Sequence, residues 1–318
     1  MSAFIDERRG DFGVEPICRA LGVSASAFYQ RKTGQRSIRA VEDERLLARI
    51  RVEHKRNWEA YGYRRMWKHL LRKGERVPRC QIQRLMREHN IRGAKRRGRP
   101  WRTTKPDPDA SRRPDLLERD FTAARPNERW VADLTYLRCF EGVLYFAFIL
   151  DVYSRMIVGW QAAGHMRDTL VIDALEMAVA ARHPDPDLEL LHHSDRGSQY
   201  SSGDFTDALD DHDILASVGS VGDAYDNAMA ESFVDTLKTE LIADRRWPSR
   251  SRLELALLTW VGWYNHQRLH SELGDVPPVE FEFAHQLKTL SSADLDERPC
   301  GPLLSTAGQA EQTQQVTS

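Results

Sequence analysis

From Trp130 onward the chain alternates strand-length apolar runs with helical periodicity. Residues 130–137, 143–151 and 156–161 are rich in Val, Ile, Leu and aromatics, with Gly142 and Ser154-Arg155 at the breaks. This pattern predicts three successive strands. Residues 169–181 then place Leu170, Ala174, Met177 and Ala178 on one helical face. A fourth strand over 188–193 runs toward Asp195, followed by a helix over 202–209 and a short strand over 215–218. A longer helix over 227–241 turns Ala230, Val234, Leu237 and Leu241 inward. Upstream the pattern is helical only. Residues 16–21, the Gly22-Val23 turn and residues 24–30 read as a helix, a turn and a Ser-capped helix that presents Ser24, Ser26, Gln30 and Arg31. Between 41 and 93, Leu46, Leu47, Ile50 and His54 share one face, and Met66, Leu70 and Leu71 another. Gly74 breaks the second helix, and a third carries Ile82, Leu85 and Met86.

The order βββαβαβα predicts an α/β, ribonuclease-H-like fold, a mixed sheet with helices on both faces and its first and fourth strands adjacent at the centre. Five segments follow: a helix-turn-helix-like stretch (1–40), a second helical DNA-binding unit (41–93), a basic linker (94–129), the α/β core with a C-terminal helix (130–285), and a polar, disordered tail (286–318).

Charge changes the picture more than composition does. The net charge is −1, yet residues 1–114 hold 30 Lys+Arg against 13 Asp+Glu, and the remainder 16 against 34. A basic arm for a polyanion is thereby joined to an acidic domain with another task. Arg64, Arg65, Lys95, Arg96 and Arg97 are candidate DNA contacts in that arm. Trp58, Tyr61, Tyr63 and Trp67, interleaved with the basic residues, read as core rather than as base-stacking platforms. Cys18, Cys80, Cys139 and Cys300 are too scattered for a disulfide framework or a zinc site. No signal peptide and no membrane-length apolar run is visible, so the expected location is the cytoplasm.

The candidate chemistry lies in three acids. Asp133 sits in Trp130-Val131-Ala132-Asp133-Leu134-Thr135-Tyr136, and Asp195 in His193-Ser194-Asp195-Arg196-Gly197-Ser198-Gln199-Tyr200. Glu231 sits in Asp226-Asn227-Ala228-Met229-Ala230-Glu231, with 35 residues between it and Asp195. Carboxylates from two central strands and one helix suit the holding of two hard divalent cations on a phosphodiester. Lys238, seven residues after Glu231, lies about 20° short of two full turns and so shares its face. It is either a surface partner of Asp235 or a phosphate contact. Arg196 and Ser198 are further candidate DNA contacts. His193 is a proton shuttle or a structural histidine, Asp226 or Asn227 an N-cap, and Asp151 a turn residue. Asn265, Arg268 and His270 are expected on a helix with Trp260, Trp263 and Tyr264, the polar trio buttressing the site.

Taken together these pieces resemble the downstream-frame (OrfB) product of bacterial insertion-sequence transposases, which carry a retroviral-integrase-like core. Further matching pieces are Leu21-Gly22-Val23-Ser24, Tyr61-Gly62-Tyr63-Arg64-Arg65, Arg84-Leu85-Met86, and Tyr264-Asn265-His266-Gln267-Arg268-Leu269-His270 before Pro277-Pro278. The resemblance implies that Asp133, Asp195 and Glu231 are the catalytic DDE metal ligands, for two Mg²⁺ or Mn²⁺ ions. It implies nicking of the element's 3′ ends and strand transfer by in-line transesterification. It also implies homo-oligomerisation on DNA and, because no zipper-like heptad run is visible, an upstream-frame (OrfA) product or fusion as partner. Two rival readings remain open: a metal-dependent nuclease of the same fold, and a non-catalytic DNA-binding regulator.

Overall fold

The computed structural model describes residues 1–32, 36–95, 122–185, 187–195, 197–218 and 228–296. The expected basic run at Arg96 and Arg97, most of the linker, Arg196, Asp226, Asn227 and Cys300 lie outside these residues. Three helices open the chain, α1 (Ser2–Phe12), α2 (Val14–Ala20) and α3 (Ala25–Lys32), closed around Ile5, Ile17, Cys18 and Phe28. The expected helix, turn and helix are α2 and α3, and the Ser24 hydroxyl accepts the Ala27 N–H at 3.4 Å. Helix α1 has no counterpart in the sequence reading, because it buries a single residue, Ile5, and shows no apolar stripe.

Helices α4 (Ile38–Arg56), α5 (Tyr63–Arg72) and α6 (Arg79–Glu88) follow. Then come β1 (Arg129–Cys139), β2 (Gly142–Asp151), β3 (Ile157–Ala163), α7 (Thr169–Arg182), β4 (Leu191–Ser194), α8 (Gly203–Asp210), β5 (Leu215–Val218) and α9 (Ala228–Leu237). The five strands form one sheet in the order β3-β2-β1-β4-β5. Tight turns make β1–β2 and β2–β3 antiparallel, and helical crossovers make β1–β4 and β4–β5 parallel. This is the ribonuclease-H-like arrangement expected from the element order.

Side chains alternate across the sheet, and two cores result. Trp130, Ala132, Ala147 and Ile149 face α7 and α8, against Leu170, Ala174, Ala178 and Phe205. Val131, Phe146, Phe148 and Leu150 face α9 and α10 (Arg250–His266), against Phe233, Trp260 and Tyr264. Gly159 is where α7 meets β3 most closely. A Cβ there would lie 2.2 Å from the Ala174 carbonyl oxygen and 2.7 Å from the Ala178 Cβ. Gly159→Ala is therefore expected to cost about 1–3 kcal/mol through overpacking. Urea unfolding checks this, and an unchanged midpoint would mean that α7 slides freely on the sheet.

The helices from α4 to α6 extend the second core rather than making one apart: Leu46, Ile50, Tyr61, Met66, Leu70 and Ile82 join the same cluster. Tyr61 is fully buried, and Trp58, Tyr63 and Trp67 pack partly buried against it, so these aromatics are core as expected. Polar bonds fasten the seam. Trp263 Nε1 donates to Asn57 Oδ1 at 3.1 Å, and the Tyr61 hydroxyl accepts the Leu269 N–H at 2.9 Å. Beneath them Glu53, 1 % exposed, lies 2.8 Å from His69 Nε2.

Helix α11 (Pro278–Asp296) corrects one expected boundary: residues 286–296 continue a helix instead of opening the polar tail. The Thr289 and Ser291 hydroxyls donate to the carbonyls of His285 and Lys288, which lets polar residues remain helical. Among the described residues no helix is long and apolar enough to cross a membrane.

Candidate active site

Asp133 projects from the middle of β1 on the α9 face, two residues beyond Val131 and opposite Phe148 of β2. In the parallel pairing Ala132 lies beside Ser194, so Asp195, one residue further on, continues beside Asp133. A parallel register brings two acids from distant parts of the chain to one strand end, and no local pattern could. Asp133 Oδ1 accepts the Leu134 N–H at 2.7 Å, and Asp195 Oδ1 accepts the Gly197 N–H at 3.0 Å. Glu231 stands in the first turn of α9, on its exposed side.

Electrostatics link the three. The Asp133 carboxyl is raised well above the usual range, first by burial, then by the Asp195 charge, with Glu231 adding to the repulsion. The Leu134 N–H and Lys238 oppose the shift. Tyr200 is buried nearby, its hydroxyl pushed up by burial and by both aspartates. Lys238 sets its Nζ 5.0 Å from the centre of the Tyr136 ring. Burial lowers its ammonium, while Asp133 and Asp235 both pull it back up, so it answers to the site and to its helix neighbour alike. Among the described residues, no three His, Cys, Asp or Glu side chains already stand close enough to hold an ion between them.

Other expected site residues take varied places. His193 shares the Asp133 face through its register with Val131, and its Nδ1 lies 2.9 Å from the Ser217 hydroxyl. Its neighbour His192 points the other way, buried against Tyr200 and Phe205, and burial pushes it down to about 3. Asp151 is a turn residue as expected: buried, it accepts the N–H groups of Ser154 and Asn127 at 2.9 and 2.7 Å. Ser198, Arg64 and Lys95 are exposed. Arg65 is half-buried, 4.0 Å from Glu240.

The helix expected over 227–241 is in fact two pieces. Helix α9 ends at Leu237, and Lys238–Ile242 form a π-helical turn. That wider turn buries both Glu240 and Leu241. Glu240 was not among the expected site residues, although an acid flanked by the apolar Leu237 and Leu241 signals a buried partner. The partner is Arg268, whose Nη2 and Nε donate to Glu240 at 2.7 and 3.0 Å. Arg268 and His270 correct the sequence reading, for they lie beyond α10 rather than on it. The helix ends at His266, the N–H groups of Gln267 and Arg268 both turn back to the Trp263 carbonyl, and Leu269 is drawn off to Tyr61. Asn265 remains on the helix and holds both backbone groups of Ile157 at 2.9 Å. Three sequence motifs thus meet in one buried network: Tyr61–Arg65, Lys238–Glu240 and Tyr264–His270.

Comparison with known proteins gives this geometry a family. Two integrase core domain models match residues 123–224 and 212–278, and an HTH-like domain model matches 41–99. The transposase for insertion sequence element IS629 of Shigella sonnei is 42 % identical over 294 residues, 90 % of this chain and 96 % of that protein. The chain belongs to the insertion-sequence transposases. A more distant relative of this transposase is InsF of insertion sequence IS3A from Escherichia coli K12, 32 % identical over 88 % of this chain and 97 % of its own. Among solved structures, the transposase is similar to the HTLV-2 integrase catalytic core domain in complex with magnesium, at a TM-score of 0.41 and 13 % identity over 51 % of this chain and 99 % of that one. It is also similar to a chain of the simian T-cell lymphotropic virus intasome, at a TM-score of 0.43 and 14 % identity over 78 % of this chain and 76 % of that one.

Proposed function

We propose that this transposase nicks the ends of its element and joins the freed 3′-OH to target DNA at Asp133, Asp195 and Glu231. The observation that carries this reading is the half-buried Asp133 carboxyl, raised well above its usual range by desolvation, then by the charge of Asp195, with Glu231 adding to it. Like charges gathered at a partly desolvated strand end are costly unless a cation joins them. An all-oxygen donor set fits a hard ion such as Mg²⁺ or Mn²⁺. Glu231, exposed on the first turn of α9, would complete the donor set beside the two aspartates. When bound, a pair of such ions supplies a nucleophile at neutral pH and neutralises the leaving oxygen in an in-line displacement.

The chain's own residues do the rest. Asp133 is fixed by its backbone bond and by the central strand, so it orients the site. Lys238, beside Asp133, offers a positive charge to a phosphate oxygen. His193, anchored on Ser217, supports the end of β4 from which Asp195 extends. Arg64 and Lys95, exposed on the basic arm, contact backbone phosphates, as do Ser198 and, outside the described residues, Arg96, Arg97 and Arg196. The domain scheme proposed is a helix-turn-helix-like segment, a second helical DNA-binding unit, a linker and the catalytic core. We include in the proposal assembly of several copies on DNA and an upstream-frame partner for end recognition.

The test uses the full chain with duplexes taken from the inverted repeats flanking its gene, scored for Mg²⁺-dependent nicking and for products joined to a plasmid. Wild type is expected to give both, and Glu231→Gln neither, with DNA binding retained. Nicks without joined products would make the chain a nuclease. Binding without any cleavage would make it a regulator.

A further inference from the structure

A cavity of about 390 Å³ opens between α5, the flank of α9 and the segment after α10. It falls within the range of about 300–1,000 Å³ common to ligand sites, so it exceeds what one ion needs. Arg65, Arg155 and Arg268 converge on it, with the hydroxyl residues Ser232 and Thr236 along one edge. Of the three arginines, Arg268 is engaged by Glu240 at 2.7 Å, and Arg65 stands 4.0 Å from the same carboxylate. Arg155 makes no ion pair among the described residues, and Glu272 is the one acid in the lining. The cavity therefore carries more positive charge than its acids balance. Its effect is felt at His270, pushed down to about 2 by burial and then by Arg268, with Arg65 and Arg155 adding.

Arg155 is placed there at a local cost. It sits at φ +62° in the β2–β3 turn, a left-handed conformation that glycine or asparagine would adopt more readily. A strained long side chain at a cavity mouth marks a position held for its guanidinium. The floor of Met229, Phe233 and Tyr264 is apolar and suits a deoxyribose. Ser232 adjoins Glu231 in sequence, so a strand occupying the cavity would pass along the flank of the proposed catalytic helix.

We propose that this cavity binds a phosphodiester of the DNA strand, held by Arg65 and Arg155, and so serves as an anchoring subsite separate from the carboxylates. It rests on the reading of the chain as a DNA-joining enzyme, and it adds a contact shared by the helical unit and the core. Arg65 comes from α5 and Arg155 from the sheet, so one phosphate spans the seam between them. Because Arg268 is occupied by Glu240, the free donors are expected from the other two.

The experiment measures affinity of the full chain for a short duplex of arbitrary sequence across roughly 50–200 mM salt, without divalent cation. Arg155→Gly and Arg65→Gln are each expected to weaken binding about tenfold at low salt and to flatten the salt slope by about 0.9. Arg155→Gly relieves the left-handed backbone, so its melting temperature should hold or rise, which separates lost contact from lost fold. Asp210→Asn, exposed at the end of α8, should leave the salt slope unchanged. If wild type fails to bind duplex at all, the DNA reading itself falls. If wild type binds and both variants keep its slope, the anchoring subsite alone is overturned. Thermal protection by inorganic phosphate that Arg155→Gly removes, with an unchanged DNA slope, would assign the cavity to a free anion and also overturn the proposal.

Discussion

Asp133→Asn is expected to abolish nicking and joining and, in the same protein, to raise the melting temperature measured with divalent cations chelated. The two effects share one cause. The Asp133 carboxyl is raised by burial and by its acidic neighbours, so the folded chain holds that proton more tightly than the unfolded chain does. As pH climbs above the ordinary carboxylate range, the unfolded state ionises first, and the ionised side chain then opposes folding. Asparagine keeps the size and can still accept the Leu134 N–H, but it carries no charge to desolvate. The stability gap between variant and wild type should therefore widen from about pH 4 upward, in the direction set by a raised acid. Adding Mg²⁺ should narrow it, since a cation compensates the charge only in wild type. Loss of a carboxylate proposed to hold the metal would remove several kcal/mol of transition-state stabilisation, so joining should fall by about a thousandfold or more. Asp210→Asn, at an exposed position at the end of α8, serves as a control and should change neither quantity. Thermal scans at several pH values with parallel joining assays decide it. A variant that joins DNA normally, or that melts lower than wild type at neutral pH, would remove Asp133 from the proposed role.

Much of this arrangement was legible in the chain because it rests on local periodicity. The alternating apolar runs located all five strands, and the 3.6-residue stripes located α7 and the inward face of α9. The adjacency of Asp133 and Asp195 also followed from the sequence, though only through the inferred sheet order. What escaped depends on contacts between distant segments. Leu269 is pulled off a helical path by the Tyr61 hydroxyl, more than two hundred residues earlier in the chain, and no window around Leu269 contains that information. The π turn at Lys238–Ile242 exists because Glu240 and Leu241 are both buried, and Glu240 is buried because Arg268 meets it. Helix α11 outran its expected end for the opposite reason. Its polar residues satisfy themselves locally, so a composition that reads as tail is still helical. The helical unit's dependence on the catalytic core was equally hidden, since Tyr61 and Met66 read as the core of a small domain until Trp263 is placed against them.

Arg268→Ala is expected to cost about 3–5 kcal/mol of stability, because it strands a buried carboxylate. Glu240 is 7 % exposed and Arg268 5 %, and three donor–acceptor pairs between them lie at 2.7–3.1 Å. The Arg268 guanidinium also lies over the Tyr264 ring at 5.4 Å. Burial alone would lower its affinity for a proton, and Glu240 more than restores it. With alanine in place Glu240 must ionise in a dry site or take up a proton, so the defect should shrink as pH falls. A neutral pair changes the outcome. Arg268→Met combined with Glu240→Leu removes both charges and keeps apolar volume, and such replacements of buried pairs are often neutral or stabilising. The double variant should therefore melt within a few degrees of wild type, and the cycle of single and double variants should show strong coupling. Function is expected to separate from stability at that point. The double variant stays folded but loses the charge lock behind Lys238 and one guanidinium of the basic cavity, so joining should fall while the melting temperature does not. Urea unfolding of the four proteins, each assayed for joined product, tests both halves. If Arg268→Ala is no less stable than the double variant, the pair is not the clasp that holds the π turn against the core.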